Sequence, residues 1–146
     1  MEVIVVRRPE DAAPIVADAY SALLDAKPDA VLGLATGSTP LGVYRELVRR
    51  HREEGLSFAR ARGFNLDEYV GLPAGHPESY ITFIKREFTD QVDFDPDAVQ
   101  GPDGLADDPV QAGRDYDQAI KDAGGIDIQI LGIGSDGHLA FNMPMS

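Results

Sequence analysis

Apolar positions along this chain switch between two spacings, and the switches mark its elements. Val3 to Val6 is a β-branched run that predicts a short strand. Asp11 to Ala26 has helical spacing, with Val16, Tyr20 and Leu23 on one face and Ile15 and Ala19 beside them. Lys27-Pro28-Asp29 breaks that pattern. Ala30 to Ala35 is apolar without alternation, as expected of a strand buried on both faces of a parallel sheet. After the turn Thr36-Gly37-Ser38-Thr39, Pro40 suits the first position of a helix carrying Val43, Leu47, Val48 and His51 on one face and ending near Gly55.

Arg62 to Leu66 predicts a further strand. Tyr80, Phe83, Ile84 and Phe88 give helical spacing from Ser79 to Thr89. Val92 to Asp108 is rich in Pro, Asp and Gly and reads as a surface connection. Asp108-Pro109 supplies a cap and first turn for a helix to about Asp122, and Ile126, Ile128, Ile130 and Ile133 mark the last strand. Strands alternating with helices imply an α/β fold, a Rossmann-like open and mainly parallel sheet with helices on both faces. A length of 146 residues makes one domain over 1–146 the expectation.

Bulk composition narrows the function. The net charge of −12 opposes general binding to nucleic acid or to an anionic membrane. It leaves an anionic small molecule open, because backbone N–H groups hold phosphate locally. With no cysteine there is no disulfide, thiolate nucleophile or Cys-based zinc site, which fits a reducing cytoplasm. The N-terminus lacks a signal-peptide layout, and no apolar run approaches a membrane span.

Three loops carry candidate chemistry. In Gly33 to Pro40, a Gly-Ser-Thr turn between strand and helix aims backbone N–H groups and two hydroxyls at one spot, with the helix dipole behind them. The plainer reading is a helix start capped by Ser38 or Thr39. In Phe64 to Leu72, the adjacent acids Asp67 and Glu68 follow a strand, where ligands bind in open α/β sheets; one is a candidate general base. An Asp-Glu pair alone also suits a solvated turn. In Gly132 to Asn142, Asp136 is placed to hold the ring of His138, as for a proton shuttle, and the glycines permit close approach to a ligand. In isolation Asp-Gly-His also suits a turn with a surface histidine.

Together, Leu34-Ala35-Thr36-Gly37-Ser38-Thr39-Pro40, Asn65-Leu66-Asp67-Glu68-Tyr69-Val70-Gly71-Leu72, His76-Pro77-Glu78-Ser79-Tyr80 and Gly137-His138-Leu139-Ala140-Phe141-Asn142 occur in order. The chain resembles the glucosamine-6-phosphate deaminase (isomerase) family over its whole length. Related 6-phosphogluconolactonases share a similar glycine turn and Asp-Gly-His loop, but are not expected to carry the Asp67 to Leu72 or His76 to Tyr80 segments in this form.

The resemblance implies ring opening of glucosamine 6-phosphate, isomerisation through proton transfer at C2 and C1, and release of ammonia to give fructose 6-phosphate. It implies that Asp67 moves the C2 and C1 protons, that His138 serves ring opening with Asp136 orienting it, and that Gly37, Ser38 and Thr39 hold the phosphate. It implies no metal or organic cofactor, because the substrate's own amine takes part in the chemistry by forming an iminium. Two departures stand out. Met143 occupies the place of a family glutamate, and methionine offers neither a carboxylate's charge nor its hydrogen-bonding capacity. Family members are also considerably longer. The expectation is therefore a truncated sheet with an open apolar edge, a tendency to self-associate as a homo-oligomer, and impaired turnover. A non-catalytic sugar-phosphate-binding module and a lactonase-like hydrolase are the alternatives.

Overall fold

The structure, a computed structural model, describes residues 1–142. Among them, four parallel strands form one sheet in the order β3-β2-β1-β4: β1 Val31–Leu34, β2 Arg62–Asn65, β3 Val99–Gln100 and β4 Ile128–Gln129. The helices are α1 Ala12–Ala26, α2 Ser38–Glu54, α3 Tyr80–Glu87 and α4 Pro109–Asp122. The fold is α/β with a parallel sheet, as the alternation of periods implies.

Register divides the sheet into two faces. Leu32 pairs with Gly63 and Ile128, and Gly63 with Val99, so these share a face with Leu34. That face packs on α1, α2 and α3 through Tyr20, Leu24, Tyr44, Leu47, Ile84 and Phe88. Tyr44 stacks on Phe88 at 4.9 Å, and Phe58 meets Phe88 edge-on at 5.3 Å. Each large side chain fully buried here contributes roughly 1.5–3 kcal/mol of transfer free energy. On the opposite face, Phe64 meets Tyr116 of α4 at 5.8 Å. The Tyr116 hydroxyl donates to the Asn65 carbonyl at 2.6 Å. Helices thus lie on both faces.

Capping explains the helix boundaries. Asp108 accepts from the N–H groups of Val110 and Gln111, with Pro109 in the first turn of α4. Ser79 accepts from the N–H of Thr82 at the start of α3. Gly55 ends α2 in the left-handed region at φ 73°, where its N–H bonds the Arg50 carbonyl.

Several expectations fail in detail. Val3–Val6 forms no strand, and Val3 is 73% exposed and Val5 90%. A strand exists only through its ladder, and this run finds no partner in the described sheet. The Val92 to Asp108 connection contains β3, whose two residues complete the sheet beside β2. The last strand pairs only over Ile128–Gln129, not from Ile126 to Ile133. The buried stripe of α1 is Ala13, Ala17, Tyr20 and Leu24, so Ile15 faces outward. Pro40 is the third residue of α2 rather than its first, and Gly37 rather than Ser38 or Thr39 is the N-cap. Proline fits there because N–H groups in the first turn have no partner within the helix.

Candidate active site

Parallel strands place their carboxyl ends on one edge of the sheet, and the three loops follow β1, β2 and β4 at that edge. The first loop is pinned from below. The Tyr44 hydroxyl donates to the Ala35 carbonyl at 2.6 Å and accepts from the Ala35 N–H at 3.0 Å. Both backbone groups of the last residue before Thr36 are thereby fixed by α2, and the Tyr44 phenol is pushed up by burial. Gly37 then turns the chain at φ 116°, a conformation that favours glycine. α2 starts at Ser38 with no side-chain cap. Its first N–H groups therefore remain available, at the positive end of the helix dipole.

In the second loop the two acids part company. Glu68 accepts from the N–H groups of Tyr69 at 2.9 Å, Tyr80 at 2.8 Å and Ile81 at 3.0 Å. It is consumed in tying its loop to the start of α3. Asp67 is left half-buried, its carboxyl raised above the usual aspartate range by burial and then by the charge of Glu68. From the far side, the Gly71 N–H donates to the Gly104 carbonyl at 2.8 Å. A Cβ at Gly104 would lie 2.1 Å from the Tyr69 carbonyl oxygen, so only glycine lets the two segments meet this closely.

In the third loop, Asp136 Oδ1 lies 2.5 Å from His138 Nδ1 and accepts from the His138 N–H at 3.2 Å. Hydrogen bonding to His138 holds Asp136 below the usual aspartate range. The Gly134 N–H donates to the His138 carbonyl at 2.9 Å. A Cβ at Gly134 would fall 2.2 Å from the imidazole, which therefore rests on the bare glycine backbone.

Gly37, Ser38, Thr39, Asp67 and His138 line one cleft of about 390 Å³, within the size range of small-molecule sites. Asp136 stands behind His138. Tyr80 also lines the cleft and belongs to an aromatic group that sequence reasoning missed. Tyr80 lies 4.6 Å from Tyr69 and 5.7 Å from Phe141, linking the second loop to the third. Burial and the neighbouring Tyr69 push its phenol up to about 12, with Thr36 acting in the opposite sense. Nothing in the sequence marks Tyr44 or Glu68 for their roles, since their partners are backbone groups. A hollow of about 470 Å³ also lies between α1 and the end of α2. Its Arg50 is already bound to Glu46, Ser21 and Asp18. Met143 lies outside the described residues. Among the described residues, no cluster of three His, Asp or Glu side chains is arranged to hold a metal ion.

The arrangement is therefore an uncapped helix start beside a half-buried carboxylate and an Asp-backed imidazole, which suits acid–base chemistry on a phosphorylated small molecule. The family described as glucosamine-6-phosphate isomerases/6-phosphogluconolactonase matches residues 8–143. A glucosamine-6-phosphate deaminase of Mycolicibacterium smegmatis is 61% identical over the whole chain, which spans 56% of that relative's length. A solved monomeric glucosamine-6-phosphate deaminase superposes with a TM-score of 0.91 at 42% identity, over 95% of this chain and 58% of that one. A 6-phosphogluconolactonase of Thermotoga maritima superposes at 0.75 with 23% identity, over 96% of this chain and 62% of that one, a likeness of fold alone.

Proposed function

The chain belongs to the family of glucosamine-6-phosphate isomerases and 6-phosphogluconolactonases, and on that premise we propose that its cleft is a glucosamine-6-phosphate deaminase site. The turn of Gly37, Ser38 and Thr39 takes the 6-phosphate through backbone N–H groups and hydroxyls. His138, oriented by Asp136, moves the proton that opens the sugar ring. Asp67 takes the C2 proton as the electron pair of the C1 carbonyl moves onto its oxygen, which is protonated. Asp67 then delivers the proton to C1 as the amine nitrogen donates its lone pair, leaving an iminium at C2. Water then adds at C2 and ammonia leaves, so glucosamine 6-phosphate and water give fructose 6-phosphate and ammonia. The chain's own groups bind, orient and move protons, and no cofactor enters any step.

The observation that carries this reading is that Asp67, His138 and the Gly37 to Thr39 turn line one cleft. The deaminase rather than the lactonase chemistry is favoured because the 61% identical relative bears that name. Met143, where the resemblance places a glutamate, supports a second reading: a sugar-phosphate-binding module with reduced or absent turnover. The proposal includes one domain acting in the cytoplasm. It also includes self-association, supported by the edge position of β4 among the described strands and by the exposed Leu131 and Ile133 that follow it. Among the described residues no helix is long and apolar enough to cross a membrane.

Ammonia release from glucosamine 6-phosphate tests the reading. Release that disappears in Asp67→Asn and in His138→Asn supports catalysis. Release unchanged in Asp67→Asn contradicts it. No release from the unsubstituted chain, with glucosamine 6-phosphate still shifting the amide resonances of Ser38 and Thr39, assigns the binding-module reading.

A further inference from the structure

We infer that Glu68 is a positioning residue that fixes Asp67 in the cleft by clamping the second loop to the start of α3. The inference rests on the reading of Asp67 as the acid–base group. Three backbone donors converge on the Glu68 carboxylate: Tyr69 from its own loop, and Tyr80 and Ile81 from twelve and thirteen residues further on. Both oxygens are used, one on Tyr69 and Tyr80 and the other on Ile81. Charge-assisted bonds of this kind are roughly twice as strong as neutral ones, and a carboxylate at a helix N-terminus gains further from the dipole.

The clamp acts on the cleft at two points. It sits next to Asp67 in the chain, and it holds the backbone of Tyr80, which lines the same cleft. Ser79 caps α3 separately through Thr82, so Glu68 is not needed to form the helix. What it adds is the tie between helix and loop. Its charge also faces Asp67, whose other titratable neighbours are Tyr80 and, across the cleft, His138.

Two variants separate clamp from charge. Glu68→Gln removes the charge and leaves a single oxygen to accept. Glu68→Asp keeps the charge but is one methylene shorter than the span between loop and helix requires. Site-resolved 13C titration of the Asp67 carboxyl and amide hydrogen exchange of Tyr80 and Ile81 are read in each. In both variants exchange at Tyr80 and Ile81 speeds up by about tenfold or more, as expected for losing one charge-assisted bond. In Glu68→Gln the Asp67 midpoint falls, whereas in Glu68→Asp it stays raised. Ser79 and Thr82 keep their exchange rates. Unchanged exchange at Tyr80 and Ile81 in both variants, or an Asp67 midpoint indifferent to Glu68→Gln, overturns the inference. These readouts need no turnover. Failure of the deaminase reading, seen in ammonia release, is therefore distinguishable from failure of the clamp.

Discussion

Asp67 and Asp136 are the same residue type, each in a glycine-bearing loop at the end of a parallel strand, yet they are held in opposite ways. Asp67 is half-buried, and the hydrogen-bonding capacity around it is spent on its neighbour Glu68. Asp136 is exposed and bonded to the ring and backbone of His138. Burial and a like charge raise the first carboxyl, and a hydrogen-bonded imidazole lowers the second. The lesson is that loop position does not set the role of an acid; burial and partner do. A carboxyl raised towards the working range suits proton transfer, and one kept ionised suits orienting and stabilising a charged imidazole.

The comparison breaks most completely at Asp67 itself. Asp67→Asn keeps the shape and removes the base, so ammonia release should fall by about 10²–10⁴-fold, the usual worth of general acid–base catalysis. Asp136→Asn should cost less, because His138 retains the backbone bond from Gly134 to its carbonyl. A steady-state assay of both variants ranks them, and equal losses would contradict the division of roles.

Next in size are the glycines that let each loop close. Gly104→Ala forces a methyl group against the Tyr69 carbonyl oxygen, backbone that cannot swing aside. A cost of about 1–3 kcal/mol in urea unfolding is expected, as for overpacking, together with displaced Asp67 resonances. Gly134→Ala meets the His138 ring and the Asp136 carboxylate, side chains rather than backbone. It should leave stability nearly unchanged and shift the imidazole resonances. Reversal of that pattern would show that the third loop, not the second, is the rigid one.

A smaller effect separates the two acids by pH. Asp136, lowered in the fold, adds stability above its unfolded value of about 3.9, and that contribution is lost as pH falls through the folded value. Asp67, raised in the fold, behaves oppositely: its contribution is complete below the same unfolded value and is lost as pH rises through the folded one. Carboxyl 13C titration should place Asp67 above and Asp136 below the ordinary aspartate value. Midpoints in the reverse order would sink the comparison.

Much of this arrangement is legible in the chain. The strand–turn–helix order around Thr36 and the acids after Asn65 place both loops at the carboxyl edge. Asp136 and His138, two residues apart in a glycine-rich loop, announce their pairing. What is not legible depends on contacts distant in sequence. Glu68 looks like a second candidate base until its bonds to Tyr80 and Ile81 are seen. Tyr44 has no sequence signal for its part, a hydroxyl that fixes both backbone groups of Ala35. β3 is too short to leave a period, and Val3–Val6 has strand propensity without a partner. Phe141 joins Tyr69 and Tyr80 only because the third loop converges with the second loop and the start of α3.

That convergence is most directly tested by titrating glucosamine 6-phosphate into the 15N-labelled chain while following backbone amides. The account predicts that Ser38, Thr39, Asp67 and His138 shift together along one binding curve, with a single Kd. Shifts confined to other surfaces, or separate curves for the Ser38–Thr39 turn and for Asp67 with His138, would contradict a single sugar-phosphate site.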